Sequence, residues 1–321
     1  MAKTACGKGG YRMRDLFGFG SKNKARGRMK EPFGDRVFNV INFIFVTIFF
    51  LLVLYPIIYV LSSSVSDPLA IIQGRVRLVP VGFNFDGYRA VFRHDSVLIG
   101  YRNSLFYMIV GTAFNVFMTV LAAYPLSRRD FPDRGKITML FAFTMLFSGG
   151  LIPTFLLIRS LGLIDTPWVM ILPGGFGVMN VIITRTFFQT NIPDELLESA
   201  QLDGCSDFKF ITSVVLPLSG AILAVQALMY ALGHWNAFFS ALIYLRSPEL
   251  FPLQMVLREI LLLNQVDTGV FSDIYEQERR EHMSALLRYA LIVAASLPFM
   301  IFYPLVQRFF VKGMLVGSIK G

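Results

Sequence analysis

Six stretches of this 321-residue chain run for 17 to 24 residues without one Asp, Glu, Lys or Arg: 38–61, 105–126, 137–158, 168–184, 214–232 and 289–306. A helix needs roughly 20 apolar residues to cross about 30 Å of hydrocarbon, so each stretch has the length of a transmembrane helix. Composition agrees. Hydrophobic residues make up 55% and charged residues 16%, against about 45–50% and about 25% for a soluble domain. Continuous runs, not ten-residue alternations, disfavour a β-barrel. The first run is too long for a signal-peptide core and is preceded by a strongly basic tail, so it is expected to remain in the mature chain. The fold class expected is an all-α membrane protein with six transmembrane helices.

The basic residues orient those helices. Ten Lys and Arg lie in residues 1–36; the loop around Arg128, Arg129, Arg134 and Lys136, then Lys209, and finally Arg308, Lys312 and Lys320 share that side. This makes 18 against 11 in the opposite loops, with Arg185 at a membrane edge. Positive charge concentrates on the cytoplasmic side, so both termini are expected in the cytoplasm of a multi-pass protein of the cytoplasmic, or inner, membrane. The net charge of +9 is thus mainly a topology signal, with contact to anionic lipid as a second use. No groove-reading module accompanies the tail, and no nucleic-acid partner is expected. The expected organisation is a basic cytoplasmic tail over 1–36, a six-helix domain over 37–311 with a cytoplasmic loop at 190–213 and an external loop at 240–288, and a cytoplasmic tail over 312–321.

No charged side chain lies deep in any run, which argues against a carboxylate proton relay or a voltage sensor. Ser148-Gly149-Gly150 with Pro153, and Pro173-Gly174-Gly175 with Gly177, should kink the third and fourth helices or let backbones approach closely. Enzymatic signatures are missing. Gly135-Lys136-Ile137 fails as a phosphate-binding loop, because Asp130 stands where the first Gly belongs and Ile137 where a hydroxyl is needed. The two cysteines and three histidines show no metal-ligand spacing, and there is no nucleophile elbow. The chain is expected to be no enzyme, and to bind no cofactor or metal.

The loop between the fourth and fifth runs is the most heavily punctuated part of the sequence. Pro193 suits a first helical turn, and Asp194 and Glu195 suit the positive end of a helix dipole. Leu196, Leu197, Ala200 and Gly204 recur at three- and four-residue spacing, with Glu195, Glu198 and Asp203 off that face. Gly204 reads as the stop and Ser206 as the cap of a second helix, with Pro217 breaking its passage into the fifth run. Glu198-Ser199-Ala200, three residues, Gly204, nine residues and Val214-Val215-Leu216-Pro217 resemble the Glu-Ala-Ala loop of the permease subunits of binding-protein-dependent ABC importers. Ser199 replaces an Ala, and Val214 an Ile. Tyr101-Arg102-Asn103-Ser104-Leu105, the run Ala123 to Arg128, His234-Trp235-Asn236 and the ending from Gly313 resemble the carbohydrate branch, in particular its maltose-permease-like second subunits. The long tail and external loop are closer to permeases for polysaccharide fragments.

The resemblance implies the ABC importer permease fold, with the loop as a cytoplasmic coupling helix in which Glu198, Ser199, Ala200, Asp203, Gly204, Leu216 and Pro217 meet the ATPase. It implies a second homologous permease, two ABC ATPase subunits that bind ATP and Mg, an extracytoplasmic solute-binding protein, surrounding lipid and an oligosaccharide substrate. It also implies that the 312–321 tail reaches the ATPases. Sugars are held by aromatic faces, amides and hydroxyls, so Asn103, Gln226, Tyr230, Trp235 and Asn236 are the substrate-pathway candidates. Hydrogen bonding between helices by Gln226 and interface anchoring by Trp235 explain the same residues equally well. Leu253, Val256, Leu257, Ile260 and Leu261 form an apolar stripe in the external loop, expected to lie on the membrane surface, with reception of the loaded binding protein as the alternative. A permease for a non-sugar solute and a non-conducting scaffold or receptor remain alternatives.

Overall fold

The computed structural model describes residues 32–266 and 287–301. Most of the basic tail over 1–36, the middle of the external loop, the end of the sixth run and the 312–321 tail lie outside the described residues. Two compact units are distinguished, 1–55 and 56–321. No strand occurs among the described residues.

The first helix, α1 (Phe33–Ser64), carries Asp35 in its first turn, where negative charge suits the helix dipole. At 1.5 Å per residue its 32 residues exceed the thickness of the hydrocarbon layer. Nearly every large apolar side chain from Phe38 to Ile57 is exposed. That is the reverse of a soluble helix and marks a surface covered by lipid or by another protein. Two short helices, α2 (Pro68–Ile72) and α3 (Asp86–Arg93), lead to α4 (Asp95–Ser127). The inward stripe of α4 includes Gly100, Ser104, Tyr107, Gly111, Asn115, Thr119 and Ala123, while Ile109, Phe117 and Leu121 point out. Lipid is as apolar as Leu, so it is small and hydrogen-bonding residues that draw membrane helices together. Around α4 pack α7 (Val178–Asn191), α11 (Gly220–Trp235) and α13 (Leu253–Val266).

Among the described residues, α1 and α4 are long and apolar enough to cross a membrane as single helices. The third run is two helices, α5 (Arg134–Leu146) and α6 (Leu151–Ser160), bent by 113° at the Gly149-Gly150 break, where Gly150 adopts φ 82°. The fourth run is corrected more strongly. A 3-10 turn over Pro167–Met170 is followed by open backbone, and helix α7 begins only at Val178 and continues to Asn191. Pro173 and the three nearby glycines account for the unwound stretch, since Pro lacks an N–H and Gly loses most entropy in a helix. Helices α8 (Asp194–Leu202) and α9 (Asp207–Phe210) come next, then a π-helical stretch over Ile211–Val215 and α10 (Leu216–Leu218). The fifth run bends by 84° between Leu218 and Gly220, directly after Pro217. Helix α12 (Phe238–Tyr244) precedes α13, and an apolar helix α14 (Leu287–Ile301) forms the described part of the sixth run.

Two sequence expectations about surfaces change. Leu253, Val256, Leu257 and Ile260 are buried in the protein core with Val97, Tyr107 and Met108, so the stripe packs on α4 and does not lie on the membrane. The start of α13 is held by α4 side chains. Asn103 Nδ2 donates to the Glu249 and Phe251 carbonyls at 2.7 and 3.1 Å, Tyr107 Oη donates to the Leu250 carbonyl at 2.8 Å, and Ser104 Oγ accepts from Leu253 N–H at 2.8 Å. Trp235 is no interface anchor: it is 2% exposed, and its Nε1–H donates to the Ala295 carbonyl of α14 at 3.1 Å.

A second clasp joins the loop after α6 to the one after α12. Asp165 adopts φ 58°, a left-handed conformation that Asp tolerates better than most side chains. Its carboxylate accepts from Arg246 N–H, Ser247 N–H and Ser247 Oγ–H at 2.8, 2.9 and 2.6 Å. The Ser247 hydroxyl, ahead of the two amides, holds this carboxyl below its ordinary range. A depressed folded value means the stabilisation is present above the unfolded pKa and is lost as pH falls through the folded one. Wild-type thermal stability should therefore lose a contribution at acid pH that Asp165→Ala lacks at every pH. Parallel melting curves against pH for the two proteins would contradict this.

Candidate functional site

The loop between α7 and α11 is a helical hairpin whose form follows from a few local residues. Pro193 sits at the N-cap of α8, one position before the helical turn expected for it, with φ −61° and ψ 144°. Asp194 and Glu195 occupy the first turn. At the other end Cys205 N–H bonds to the Ala200 carbonyl at 2.9 Å and Gly204 N–H to the Gln201 carbonyl at 3.0 Å. That pair of reversed bonds is a Schellman motif, whose residue after the cap must be left-handed; Gly204 has φ 71°. Leu197, Ala200 and Cys205 pack on the cluster of Tyr124, Phe188, Phe210 and Val215, which seats Leu197 and Ala200 of the expected apolar face, while Leu196 and Gly204 are exposed. Ser206 Oγ accepts from Lys209 N–H at 3.4 Å and caps α9.

Glu198, Ser199, Asp203 and Gly204 are exposed, Ala200 and Leu216 half-buried, and Pro217 exposed at the far side of the hairpin. Two residues that sequence reasoning did not single out stand beside them: Leu202 is 89% exposed and Phe208 75% exposed. Leu202 lies off the Leu196, Leu197 and Ala200 stripe, a signal that could have marked it.

The segment leaving α4 also grips the hairpin. Arg128 donates from Nε and Nη2 to the Asp130 carboxylate at 2.9 and 2.7 Å and from Nη1 to Tyr124 Oη at 2.8 Å, with Asp207 Oδ1 3.5 Å from Nη1. The Asp130 carboxyl is thereby held below its ordinary range. Arg129 Nε reaches Asp194 Oδ2 at 3.1 Å. Neither arginine was linked to the hairpin in the sequence reading, because Asp207 and Asp194 lie far along the chain.

The pathway candidates do not form one cluster. Asn103 braces α13, as described, and Trp235 braces α14. Asn236 donates to the Leu232 carbonyl at 2.9 Å at the end of α11. Tyr230 and Gln226 do lie one turn apart on α11, along a polar seam between α4, α7 and α11. Tyr230 Oη pairs with Thr119 Oγ1 at 2.7 Å and accepts from Gly177 N–H at 3.0 Å. Gln226 Nε2 donates to the Asn180 carbonyl at 3.3 Å, and its Oε1 is buried with no hydrogen-bond partner. Asn115 extends the seam outward, donating to the Gly174 carbonyl and accepting from His234 Nε2. Asn115 and Tyr230 thus hold the unwound backbone ahead of α7, and Gln226 holds the first turn of α7 itself.

Comparison with known proteins bears on this arrangement. The profile of the family described as binding-protein-dependent transport system inner membrane component matches residues 24–316. The chain is 38% identical over 287 residues to the polygalacturonan/rhamnogalacturonan transport system permease protein YtcP of Bacillus subtilis (strain 168), covering 89% of this chain and 99% of the relative. It is 40% identical over 293 residues to Protein LplC of the same organism, covering 91% and 98%. Among solved structures it is similar to a chain in a crystal structure of a bacterial ABC transporter involved in the import of the acidic polysaccharide alginate. That match has TM-score 0.76 and 34% identity, and covers 87% of this chain and 99% of that one.

Proposed function

The chain belongs to the family of binding-protein-dependent transport system inner membrane components, and from that premise we propose how its parts serve an importer. It is a membrane permease subunit of an ABC transporter and performs no chemistry of its own. It imports oligosaccharide, as the similarity to a polygalacturonan/rhamnogalacturonan permease and to an alginate importer supports; fragments of acidic polysaccharide are the first solutes to test. Such permeases work with a partner permease, an ATPase and a solute-binding protein. The complex we infer has this chain, one homologous but different permease, two ATPases holding ATP and Mg, and an extracytoplasmic binding protein. Alternating access follows from ATP-driven closure of the ATPases, passed through the hairpin to the helices.

The observation that carries the coupling role is the exposure of Leu202 and Phe208 beside Glu198, Ser199, Asp203 and Gly204 on one compact hairpin. Large apolar side chains held out on a rigid turn with carboxylates around them suit a protein cleft. Leu216 and Pro217 then set the bend through which the hairpin's motion enters α11. For the pathway, Gln226 is the residue carried forward as a contact, since its Oε1 has no protein partner; Tyr230 stands one turn along α11 on the same seam, and Asn103, Trp235 and Asn236 brace helices elsewhere. The test is affinity purification followed by uptake in vesicles. An ATPase and a second six-span permease should accompany the chain, and labelled oligogalacturonide or alginate oligosaccharide should be taken up only with ATP. A chain that brings down neither subunit is a scaffold, and uptake of peptide or amino acid alone would reassign the solute.

We extend the proposal to topology: six spans, with 1–36, 190–213 and 312–321 in the cytoplasm and 240–288 outside. The basic residues support it. Reporters fused after Gly321 and within 62–100 should give opposite signals, and matching signals would remove the six-span arrangement.

A further inference from the structure

We propose that Arg128 is a positioning residue that ties the hairpin to α4, so that hairpin motion reaches α4 as well as the helices covalently joined to it. This rests on the reading of the hairpin as the ATPase-docking element. The hairpin is continuous in sequence with α7 on one side and, through α9, α10 and the π-helical stretch, with α11 on the other. Helix α4, whose inward stripe carries the polar seam, has no covalent connection to it. The residues just after α4 supply a non-covalent one. Arg128 and Arg129 reach Asp207 and Asp194, and these two aspartates are the first residues of α9 and α8. Two adjacent arginines therefore hold the starting residue of each hairpin helix.

Arg128 is the fixed member of the pair. Its side chain is 13% exposed, against 80% for Arg129. Its guanidinium is locked in plane by both Asp130 oxygens, bonded to Tyr124 Oη within α4 and, with its carbon 5.7 Å from the Tyr124 ring centroid, packed over that ring. Its own carbonyl accepts from Arg134 Nη1 at 3.2 Å, which joins α5 to the same knot. A planar fork with several donors suits this task, whereas an ammonium cannot satisfy Asp130 bidentately and Tyr124 at once. Asp207 and Asp194 are largely in solvent, and ion pairs of that kind add little to folding stability. The expected role is thus in transmission and not in holding the fold.

The experiment uses the full complex in proteoliposomes with sugar-loaded binding protein, reading sugar imported per ATP hydrolysed. Docking is read separately by cross-linking Leu202→Cys to the ATPase in a Cys6→Ser, Cys205→Ser background. Arg128→Gln should dock normally and import about three- to tenfold less sugar per ATP. Arg128→Lys should fail to restore the ratio, and Tyr124→Phe and Asp207→Asn should lower it in the same direction. Arg129→Gln should lower it less. An unchanged ratio in both Arg128→Gln and Asp207→Asn overturns the inference. Should Arg128→Gln not accumulate, Asp207→Asn, exposed and on the hairpin itself, decides alone. A wild-type hairpin that cross-links to no ATPase overturns the docking reading instead, while a docked variant with an unchanged ratio leaves that reading standing.

Discussion

Gly204→Asp is expected to leave the permease folded in the membrane and to abolish its productive union with the ATPase. At φ 71° most side chains are penalised by roughly 1–2 kcal/mol, Asp less than others. Nothing lies within 4 Å of the position a Cβ would take. The fold therefore accommodates the change, and the loss falls on the docking surface, where an unpaired carboxylate beside Leu202 and Phe208 is buried on assembly. An uncompensated buried charge costs about 3 kcal/mol or more, roughly a hundredfold in affinity. Glu198→Ala should do less, since it removes one charge-assisted contact of about 1.5–3 kcal/mol and leaves the turn intact. Copurified ATPase and ATP-dependent uptake are measured for both. Wild-type behaviour of Gly204→Asp in both measurements would remove the hairpin from the coupling mechanism.

Gly111→Val should unfold the polar seam. The His234 ring of α11 lies directly over Gly111 of α4, close enough that an added Cβ would overlap three ring atoms. Forcing the ring away breaks its bond to Asn115 and loosens Asn115 from the Gly174 carbonyl. Overpacking costs about 1–3 kcal/mol and each buried polar group left unpaired a similar amount. A loss of about 3–5 kcal/mol follows, visible as aggregation in detergent and a much lower melting temperature. Gly111→Ala should show a smaller loss that mostly disappears when combined with His234→Ala, because the ring is the obstacle. Equal cost of Gly111→Ala with and without the ring would mean that the helices separate elsewhere.

The hairpin could be read from sequence because its signals are short-range. Asp194 and Glu195 at a dipole, Gly204 in a left-handed turn and Ser206 at a cap act within four residues of where they stand, and they needed no tertiary context. The apolar runs are a different case. Absence of charge reports membrane depth, not whether backbone is straight; the Gly and Pro clusters marked breaks in the third and fourth runs, but not the 113° size of the bend after α5 or how late α7 starts. The stripe from Leu253 to Ile260 marked a buried face correctly but not what buries it: Asn103, Ser104 and Tyr107 lie some 150 positions earlier and draw it onto α4. Long-range pairing hid Arg128 in the same way. In a linear reading it was one cation among 18 on its side, and Asp207, 79 residues on, gave no local sign of it.

The open backbone ahead of α7 bears on the order in which the protein is made. Unwound peptide groups cannot face lipid, where each lacks a partner. Asn115, which serves the Gly174 carbonyl, is synthesised before them, but Tyr230, which serves the Gly177 amide, comes after. A nascent chain that has reached only Asn191 thus holds one of the two braces of its unwound backbone. The fourth segment must therefore stay sheltered in the insertion machinery, or against α4, until α11 has emerged, and the two segments leave for the bilayer as a pair.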